Sequence, residues 1–234
     1  MRPFRSVRPF ALALALALGC LLVPAGLWAA GGAAAAPAQA PDYAALIGDF
    51  PRPGSEAAVA DQAILMWEQD VRTPEDVARA RSEVEVHLGL FAPVTGKALD
   101  SDAFPLTRAL SADLARAVRA VVGPLKQHFA RPRPYETLPK LKPALPHEAS
   151  FSYPSGHSSW GMSQAELLAA LEPGRREAIL DRGRQIGYDR ALGGVHYPSD
   201  VEAGQQVGAA VARAWLADPG HRQRVEAARA AEWK

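Results

Sequence analysis

DAFPLTRALSADLARAVRAVVGPLKQHFA, residues 102–130, repeats apolar side chains every three or four positions. The repeated positions are Leu106, Leu110, Leu114, Val118, Val121 and Val122. This spacing places them on one face of an α-helix. We therefore predict one long helix here, bent where Gly123-Pro124 interrupts the backbone hydrogen bonds.

Helical patterns continue on both sides of this stretch. Ser55 and Thr73 precede helix-start sequences, and Ser199-Asp200-Val201-Glu202 has the form of a capping box. The predicted helices cover about residues 55–72, 74–90, 102–130, 155–171, 173–189 and 199–217, with a short one after residue 220. The Pro-rich segment 131–146 is predicted as a loop. No segment alternates with strand period for long, so we predict an all-α fold, a compact single-domain helical bundle around a central antiparallel helix pair.

The first 40 residues have the pattern of an export signal. Arg2, Arg5 and Arg8 precede an unbroken apolar run, and small residues with several cleavage points follow. We predict a signal peptide and Ala-rich leader over residues 1–40, a loosely held N-terminal arm over 41–54 and one helical domain over 55–234. A retained membrane anchor is the alternative.

The cysteine and charge counts restrict the expected cellular location and the expected partners. Cys20 is the only cysteine and lies in the leader, so we expect a mature chain without disulfides, periplasmic or secreted from a bacterium. The whole chain has 26 basic and 25 acidic residues. The leader holds three arginines and no acid, so the mature chain has 23 basic and 25 acidic residues. A net charge of −2 argues against nucleic acid as a partner. No second apolar run reaches membrane length, so no membrane association is expected after signal cleavage.

Three short strings carry the residues suited to chemistry. They are Lys126 with Arg133-Pro134, then Pro154-Ser155-Gly156-His157, then Arg190 with His196 and Asp200. Together they supply three cations, two imidazoles, a hydroxyl, a glycine turn and one carboxylate. This set is suited to holding and cleaving a phosphoryl group.

Ser155, Gly156 and His157 lie where a loop meets a predicted helix. Free backbone N–H groups and the positive end of the helix dipole bind anions at such a position. Gly156 lets an oxyanion approach the backbone, and Ser155 adds a hydroxyl donor. His157 beside them is suited to donate a proton. The alternative is a plain N-cap serine followed by a flexible glycine.

Lys126 and Arg133 converge if the chain turns after the long helix, as the prolines on either side of Arg133 favour. A guanidinium binds phosphate oxygens in a fork, and a lysine adds a mobile point charge. Each is also a common surface cation. Arg131 and His128 lie in the same region and are candidates for a supporting role.

His196 and Asp200 are four residues apart at a predicted helix start. A carboxylate that accepts the Nδ1 proton leaves Nε2 unprotonated, which makes His196 a candidate nucleophile toward phosphorus. A metal pair lacks further Cys, His or carboxylate partners, so we predict no metal and no cofactor. A histidine merely held by a nearby aspartate is the structural alternative.

These strings resemble the three signature motifs of the type 2 phosphatidic acid phosphatase superfamily, over residues 126–200. The leader, the length and Tyr153-Pro154-Ser155-Gly156-His157 look most like the bacterial class A non-specific acid phosphatases. The resemblance implies an all-α core and a metal-independent acid phosphatase that acts on small phosphomonoesters and releases inorganic phosphate. It also suggests a homo-oligomer.

The same resemblance implies a role for each residue. His196 attacks phosphorus to form a phosphohistidine, Asp200 orients it, and His157 protonates the leaving oxygen. The phosphate oxygens are bound by Lys126, Arg133, Ser155, Gly156 and Arg190. Asp189 departs from the family pattern, which usually has a serine before this arginine. A carboxylate there pairs with Arg190 and steers it or, if it faces the phosphate, repels it.

Other functions remain open. A lipid phosphate phosphatase would need a membrane tether, which an uncleaved leader could supply. A vanadate-dependent haloperoxidase shares the same kind of anion site but is usually much longer. A non-catalytic phosphate-binding protein would need only the cations. Contacts to the leaving group are expected from Tyr135, Phe151, Tyr153 or the Pro-rich loop.

Overall fold

The computed structural model describes residues 42–234, which are mainly helical and include no β-strand. The predicted leader lies outside the described residues. The helices are α1 (Tyr43–Ile47), α2 (Glu56–Val71), α3 (Pro74–Ser82), α4 (Ala92–Thr95), α5 (Pro105–Phe129), α6 (Pro134–Thr137), α7 (Gly156–Leu171), α8 (Arg176–Leu192), α9 (Pro198–Ala217) and α10 (Pro219–Glu232). The predicted all-α fold is confirmed.

α7 is the central helix. Nearly all of its side chains are buried, because α5, α8 and α9 pack around it. Its sequence has no polar face, as expected of a helix that is surrounded by others. The many small residues in its first turns allow the neighbouring helices to come close.

α8 packs antiparallel to α7 and forms the predicted central pair with it. A Cβ on Gly183 of α8 would lie 2.6 Å from the Cβ of Ala165, so only glycine fits there. Gly187, one turn later in α8, approaches Ser158, which is earlier in α7. Increasing positions in one helix therefore meet decreasing positions in the other.

α9 packs parallel to α7 at very short range. A Cβ on Gly208 would lie 2.2 Å from the carbonyl oxygen of Ser159, and Gly204 is equally close to Ser155. A side chain at either glycine would therefore collide with the backbone of α7. The starts of the two helices are thereby adjacent, and the N–H of Ser155 donates to the carbonyl oxygen of Asp200 at 2.9 Å.

α5 runs unbroken through Pro124 and buries most of the apolar face that its sequence predicts, whereas Leu106 at its start is exposed. It ends at Ala130, whose φ of 47° turns the chain away from the helix axis. The Pro-rich segment that follows is irregular except for α6, a single turn that begins at Pro134. This turn places Arg133 close to the last turn of α5.

Several boundaries differ from the prediction. α5 begins at Pro105 rather than near residue 102, and α8 spans Arg176–Leu192 rather than about 173–189. α3 ends at Ser82 rather than near residue 90, because Glu83 leaves the helix and accepts a hydrogen bond of 2.6 Å from Arg182. α9 begins at Pro198 after Tyr197, and the carboxylate of Asp200 accepts the N–H of Tyr197 at 2.8 Å. Ser199 therefore lies inside the first turn and is not the cap.

The arm predicted to be loosely held is packed against the helices where it is described. The side chain of Tyr43 contacts the main core, and the hydroxyl of Tyr153 donates to the carbonyl oxygen of Ile47 at 3.0 Å. Of the helices between residues 42 and 234, none combines the length and the hydropathy needed to cross a membrane.

Candidate active site

The side chains of the three strings meet beside the N-terminal end of α7. Lys126 comes from the last turn of α5, Arg133 precedes α6, Arg190 lies near the end of α8, and His196 and Asp200 flank the start of α9. All five are buried. Three buried cations in one place require anionic partners, from the protein or from a ligand.

Arg133 fixes the protonation of His196. Its Nη1 lies 2.9 Å from Nε2 of His196 and also donates to the carbonyl oxygen of Val195 at 2.8 Å. A guanidinium only donates, so Nε2 is the acceptor and carries no proton. Burial, with the charges of Arg133 and Lys126, lowers the pKa of His196 well below its ordinary value. The ring is therefore neutral, with its proton on Nδ1.

Asp200 faces this Nδ1 proton. Its Oδ2 lies 3.3 Å from Nδ1 and accepts from the hydroxyl of Ser152 at 2.5 Å. Burial raises the pKa of Asp200 above its ordinary value, although Arg131 and the hydrogen bonds oppose this shift. A carboxylate held by several donors can orient the imidazole and stabilise its charged form.

A buried ion-pair network lies behind Asp200. Arg131 donates to Oδ1 of Asp200 at 2.6 Å and to Oδ2 of Asp61, in α2, at 2.9 Å. Asp61 in turn accepts from the backbone N–H and the hydroxyl of Ser199. The supporting position considered for Arg131 is thus observed, whereas His128 is exposed and contacts the ring of Phe129.

Sequence reasoning missed Asp61. It lies at helical spacing between Ala58 and Leu65, which are both buried on the same face of α2. A charged residue on the buried face of an amphipathic helix indicates a paired group in the interior, and this signal could have identified it.

Glu148 occupies the space between Arg133 and Arg190. One of its oxygens accepts from Arg190 at 2.8 Å, and the other accepts from Arg133 at 2.8 Å. Burial raises the pKa of Glu148, but the charges of Arg133 and Arg190 oppose this, and the pKa is lowered to about 2. The group is therefore an anion. The sequence gives no signal for Glu148, because an acid in an irregular loop has no periodic pattern.

Arg190 keeps unused hydrogen-bond donors at this position. Its Nη2 bonds to Glu148, but Nε and Nη1 are buried and have no partner among residues 42–234. Buried donors are rarely left unpaired, since each one costs free energy. A tetrahedral oxyanion offers more acceptor oxygens than a carboxylate and could satisfy them.

Lys126 directs its ammonium group toward the backbone just before α7. Nζ donates to the carbonyl oxygens of Phe151 at 2.5 Å and Ser152 at 3.3 Å. Burial and the charge of Arg133 lower the pKa of Lys126 to about 8. The side chain is still mainly charged at neutral pH and adds to the positive field of the arginines.

Ser155 and Gly156 form the start of α7. Oγ of Ser155 accepts from the N–H of Ser158 at 3.3 Å, so Ser155 acts as an N-cap. A Cβ at Gly156 would meet only Cε of Lys126, at 3.9 Å, within the part of the chain that the structure describes. Open space therefore lies beside the first N–H groups of the helix, where an anion binds favourably.

His157 is held by a backbone carbonyl. Its Nε2 lies 3.1 Å from the carbonyl oxygen of Val84, which can only accept, so Nε2 carries the proton. Burial and the charge of Arg190 lower the pKa of His157 to about 4. In the neutral ring, Nδ1 is therefore free to take and return a proton.

Asp189 is directed toward α3. Its two oxygens accept from Nε and Nη2 of Arg79, each at 2.9 Å, and Gln185 donates to one of them at 2.8 Å. Neither arrangement expected for this residue is found, since it does not pair with Arg190 and its charge is neutralised by Arg79. Asp189, which stands in place of the usual serine, therefore supports α8 through its ion pair with α3 and does not act on Arg190.

The acidic groups near the site are used in ion pairs. Asp200 bonds to Arg131, and Glu148 bonds to Arg133 and Arg190. Over residues 42–234, no three His, Cys, Asp or Glu side chains are grouped in a way that could hold a metal ion.

Residues 109–224 match the family model described as PAP2 superfamily, and this range includes every residue of the three strings. A non-specific acid phosphatase of Providencia stuartii is 26% identical over 200 residues, which cover 82% of this chain and 81% of the relative. A lipid A 1-phosphatase of Rhizobium johnstonii is 41% identical over 63 residues, 27% of this chain and 26% of the relative.

A similar fold occurs in the crystal structure of a transmembrane PAP2 type phosphatidylglycerolphosphate phosphatase from Bacillus subtilis. The TM-score is 0.52 at 21% sequence identity, and the match covers 68% of this chain and 85% of that chain. At this identity the likeness supports the fold alone.

Proposed function

This chain carries a PAP2 superfamily domain, and on that premise we propose that it is an exported, metal-independent acid phosphatase that hydrolyses small phosphomonoesters through a phosphohistidine. The relatives named as phosphatases support the class of reaction. The observation that carries the proposal is an anion, Glu148, held by Arg133 and Arg190 while Arg133 also contacts the unprotonated Nε2 of His196. A phosphate group in that position meets two guanidinium groups and a nucleophilic nitrogen.

In the first step the substrate phosphate replaces the carboxylate of Glu148. As Arg133 turns its donors to the phosphate oxygens, it releases the lone pair of Nε2 of His196, which forms a bond to phosphorus while the bond to the leaving oxygen breaks. Asp200 stabilises the imidazolium through Nδ1. The charge on the phosphate oxygens is balanced by Lys126, Arg133 and Arg190, with the N-terminus of α7 as a further donor.

His157 gives a proton to the leaving oxygen. Since its Nε2–H bonds to Val84, the transferred proton comes from Nδ1 of the charged ring. A phosphate dianion nearby raises the pKa of His157 above its ligand-free value of about 4, so acidic conditions favour the active form. Water then attacks the phosphohistidine, gives a proton to neutral His157, and releases His196 and inorganic phosphate.

The test is hydrolysis of 4-nitrophenyl phosphate at mildly acidic pH with a chelator present. The wild type should be active, and His196→Ala should lose at least ~10³-fold in kcat. His128→Ala replaces an exposed histidine and should keep wild-type activity. Equal rates for the wild type and His196→Ala would overturn the histidine mechanism, and loss of wild-type activity in chelator would overturn metal independence.

A lipid phosphate phosphatase is the second candidate, favoured by the match to a lipid A 1-phosphatase. Such an enzyme prefers substrates presented in membranes or micelles. We expect a higher kcat/KM for a soluble phosphomonoester than for long-chain phosphatidate in detergent micelles. The opposite order would favour the lipid enzyme.

Export is proposed from the leader pattern at residues 1–40. Mass spectrometry of the protein from a bacterial periplasmic fraction should show a chain that lacks about these 40 residues. An intact N-terminus in the membrane fraction would instead indicate a retained anchor.

A further inference from the structure

A cavity of about 410 Å³ lies between α5 and the first turns of α7. Its walls include Val118 and Val122 from α5, Trp160 from α7, and Val86 from the segment after α3. Most of the lining is apolar, and its polar groups are the indole N–H, the ring of His157 and the guanidinium of Arg119, an exposed residue of α5. The volume is typical of a small-molecule site, and the apolar lining is what such sites use to bind ligands.

The cavity borders the candidate active site. Gly156 and His157 line it, and both belong to the start of α7 where the phosphate would bind. Cε of Lys126 lies 3.9 Å from where a Cβ on Gly156 would be. A leaving oxygen that receives its proton from His157 is therefore at the entrance, and the rest of the leaving group can extend into the cavity.

The aromatic side chains that the sequence suggested for this role lie elsewhere. Tyr153 is buried and contacts the ring of Phe50. The ring of Tyr135 stacks on His147 with centroids 3.9 Å apart, and Phe151 is exposed. None of the three suggested residues lines the cavity between α5 and α7.

We propose that this cavity binds the apolar leaving group of the phosphomonoester, an aromatic ring or a short alkyl chain. The proposal rests on the phosphatase function above and on His157 as the proton donor. A leaving group with several hydroxyls would lose hydrogen bonds to water that the apolar part of these walls cannot replace, since among residues 42–234 Arg119 is the one charged side chain of the lining apart from the titratable His157. An apolar leaving group transfers favourably from water to the cavity. The preferred substrates are therefore aryl and short-chain alkyl phosphates rather than sugar phosphates.

The first test fills the cavity with Gly123→Leu. Gly123 borders the cavity at a helical position where an added Cβ meets no atom within 4 Å. Leucine forms helix more readily than glycine, whereas Pro124 disfavours helical backbone at the residue before it, so a circular dichroism spectrum equal to that of the wild type is the check that this variant folds. We expect kcat/KM for 1-naphthyl phosphate to fall about 10-fold or more, while kcat/KM for glycerol phosphate and inhibition by inorganic phosphate stay within about 2-fold of wild type.

A second variant and a matched control separate the cavity from general effects. Val86→Asp places a carboxylate on an exposed wall residue, and Val59→Asp makes the same change at an exposed valine of α2 that does not line the cavity. The quantity to measure is the ratio of kcat/KM for 1-naphthyl phosphate to that for glycerol phosphate. Val86→Asp should lower this ratio, and Val59→Asp should leave it unchanged.

Hexyl phosphate, measured beside 1-naphthyl phosphate, distinguishes a chain from a ring as the occupant. For each of the two esters, the quantity compared is the ratio of its kcat/KM to that for glycerol phosphate. A lower ratio for 1-naphthyl or for hexyl phosphate in both cavity variants supports the proposal. If hydrolysis depends on His196 but both of these ratios stay at the wild-type value in both variants, the cavity proposal fails and the phosphatase function stands. If the wild type hydrolyses none of these esters, both proposals fail.

Discussion

Arg133 donates a hydrogen bond of 2.9 Å to Nε2 of His196. The bond links the loop after α5 to the turn before α9, and it leaves the lone pair of the neutral ring on Nε2. The same guanidinium holds the carboxylate of Glu148 through Nη2. One side chain therefore positions both the nitrogen suited to attack and the anion beside it.

Glu148→Gln should strengthen the binding of inorganic phosphate. The carboxylate of Glu148 bridges Arg133 and Arg190, so an incoming phosphate has to displace it. An amide of the same shape carries no charge and competes less well for the two guanidinium groups. We expect the inhibition constant of phosphate to fall by about 10-fold, since an occupied site lowers apparent affinity.

Glu202→Gln is the control for this prediction, because it removes one negative charge from an exposed position of α9. Its inhibition constant should equal that of the wild type. Weaker phosphate binding in Glu148→Gln would show instead that the carboxylate supports the site.

Asp189→Ser should lower stability without changing phosphate affinity. The buried carboxylate pairs with Arg79, whose side chain is partly exposed, and it has no contact with the phosphate-binding residues. Loss of this pair should cost about 1–3 kcal/mol in the free energy of unfolding. Urea denaturation measures the cost, and phosphate inhibition should stay at the wild-type value. A large gain in phosphate affinity would mean that Asp189 acts on the site after all.

The motif spacing predicts which residues meet beside α7 better than it predicts what holds them. Lys126, Arg133 and His196 could be named as candidates because the chemistry of anion binding restricts the residue types at each position. Glu148 and Asp61 could not be identified in the same way. Their partners are distant in sequence, as in the bond from Asp61 to Ser199 across 138 positions, and are set by the packing of whole helices.

His157→Asn should affect poor leaving groups more than good ones. An alkyl alcohol leaves only with a proton, whereas 4-nitrophenolate leaves readily without one. We expect kcat/KM to fall by about 10²-fold or more for hexyl phosphate and by about 10-fold or less for 4-nitrophenyl phosphate. A steady-state comparison of the two esters measures this. Equal losses for both would argue against His157 as the proton donor.

The stability that neutral His157 contributes should be lost in acid. Burial lowers the pKa of His157 from 6.5 to about 4, so the folded chain binds fewer protons at this site than the unfolded chain between these pH values. Its contribution is present above pH 6.5 and declines as the pH falls toward 4. Glu83 acts in the opposite direction, because burial and Asp189 raise its pKa to about 7.

A comparison with His157→Asn isolates this effect, since Glu83 is the same in both proteins. Urea denaturation at several pH values between 7.5 and 4 should show the wild type losing more free energy of unfolding than the variant. Parallel pH dependences would contradict the lowered pKa of His157.

Apolar periodicity predicts the main helices, because burial of one face governs where they form. It fails at the end of α3, where a continued helix is expected. There Glu83 bonds to Arg182 and the carbonyl of Val84 bonds to His157, so long-range contacts replace the next helical turn. A local pattern contains no information on partners this far along the chain.

The most direct test of the phosphatase account is to trap a phosphoryl group on His196. The full mature protein and His157→Asn, in which the water step should also be slowed, are mixed with radiolabelled aryl phosphate and quenched in alkaline denaturant. The account predicts label that is stable to base, labile to acid and located on the peptide with His196, and no label on His196→Ala. Active turnover with acid-stable label, or with label on another residue, would contradict it.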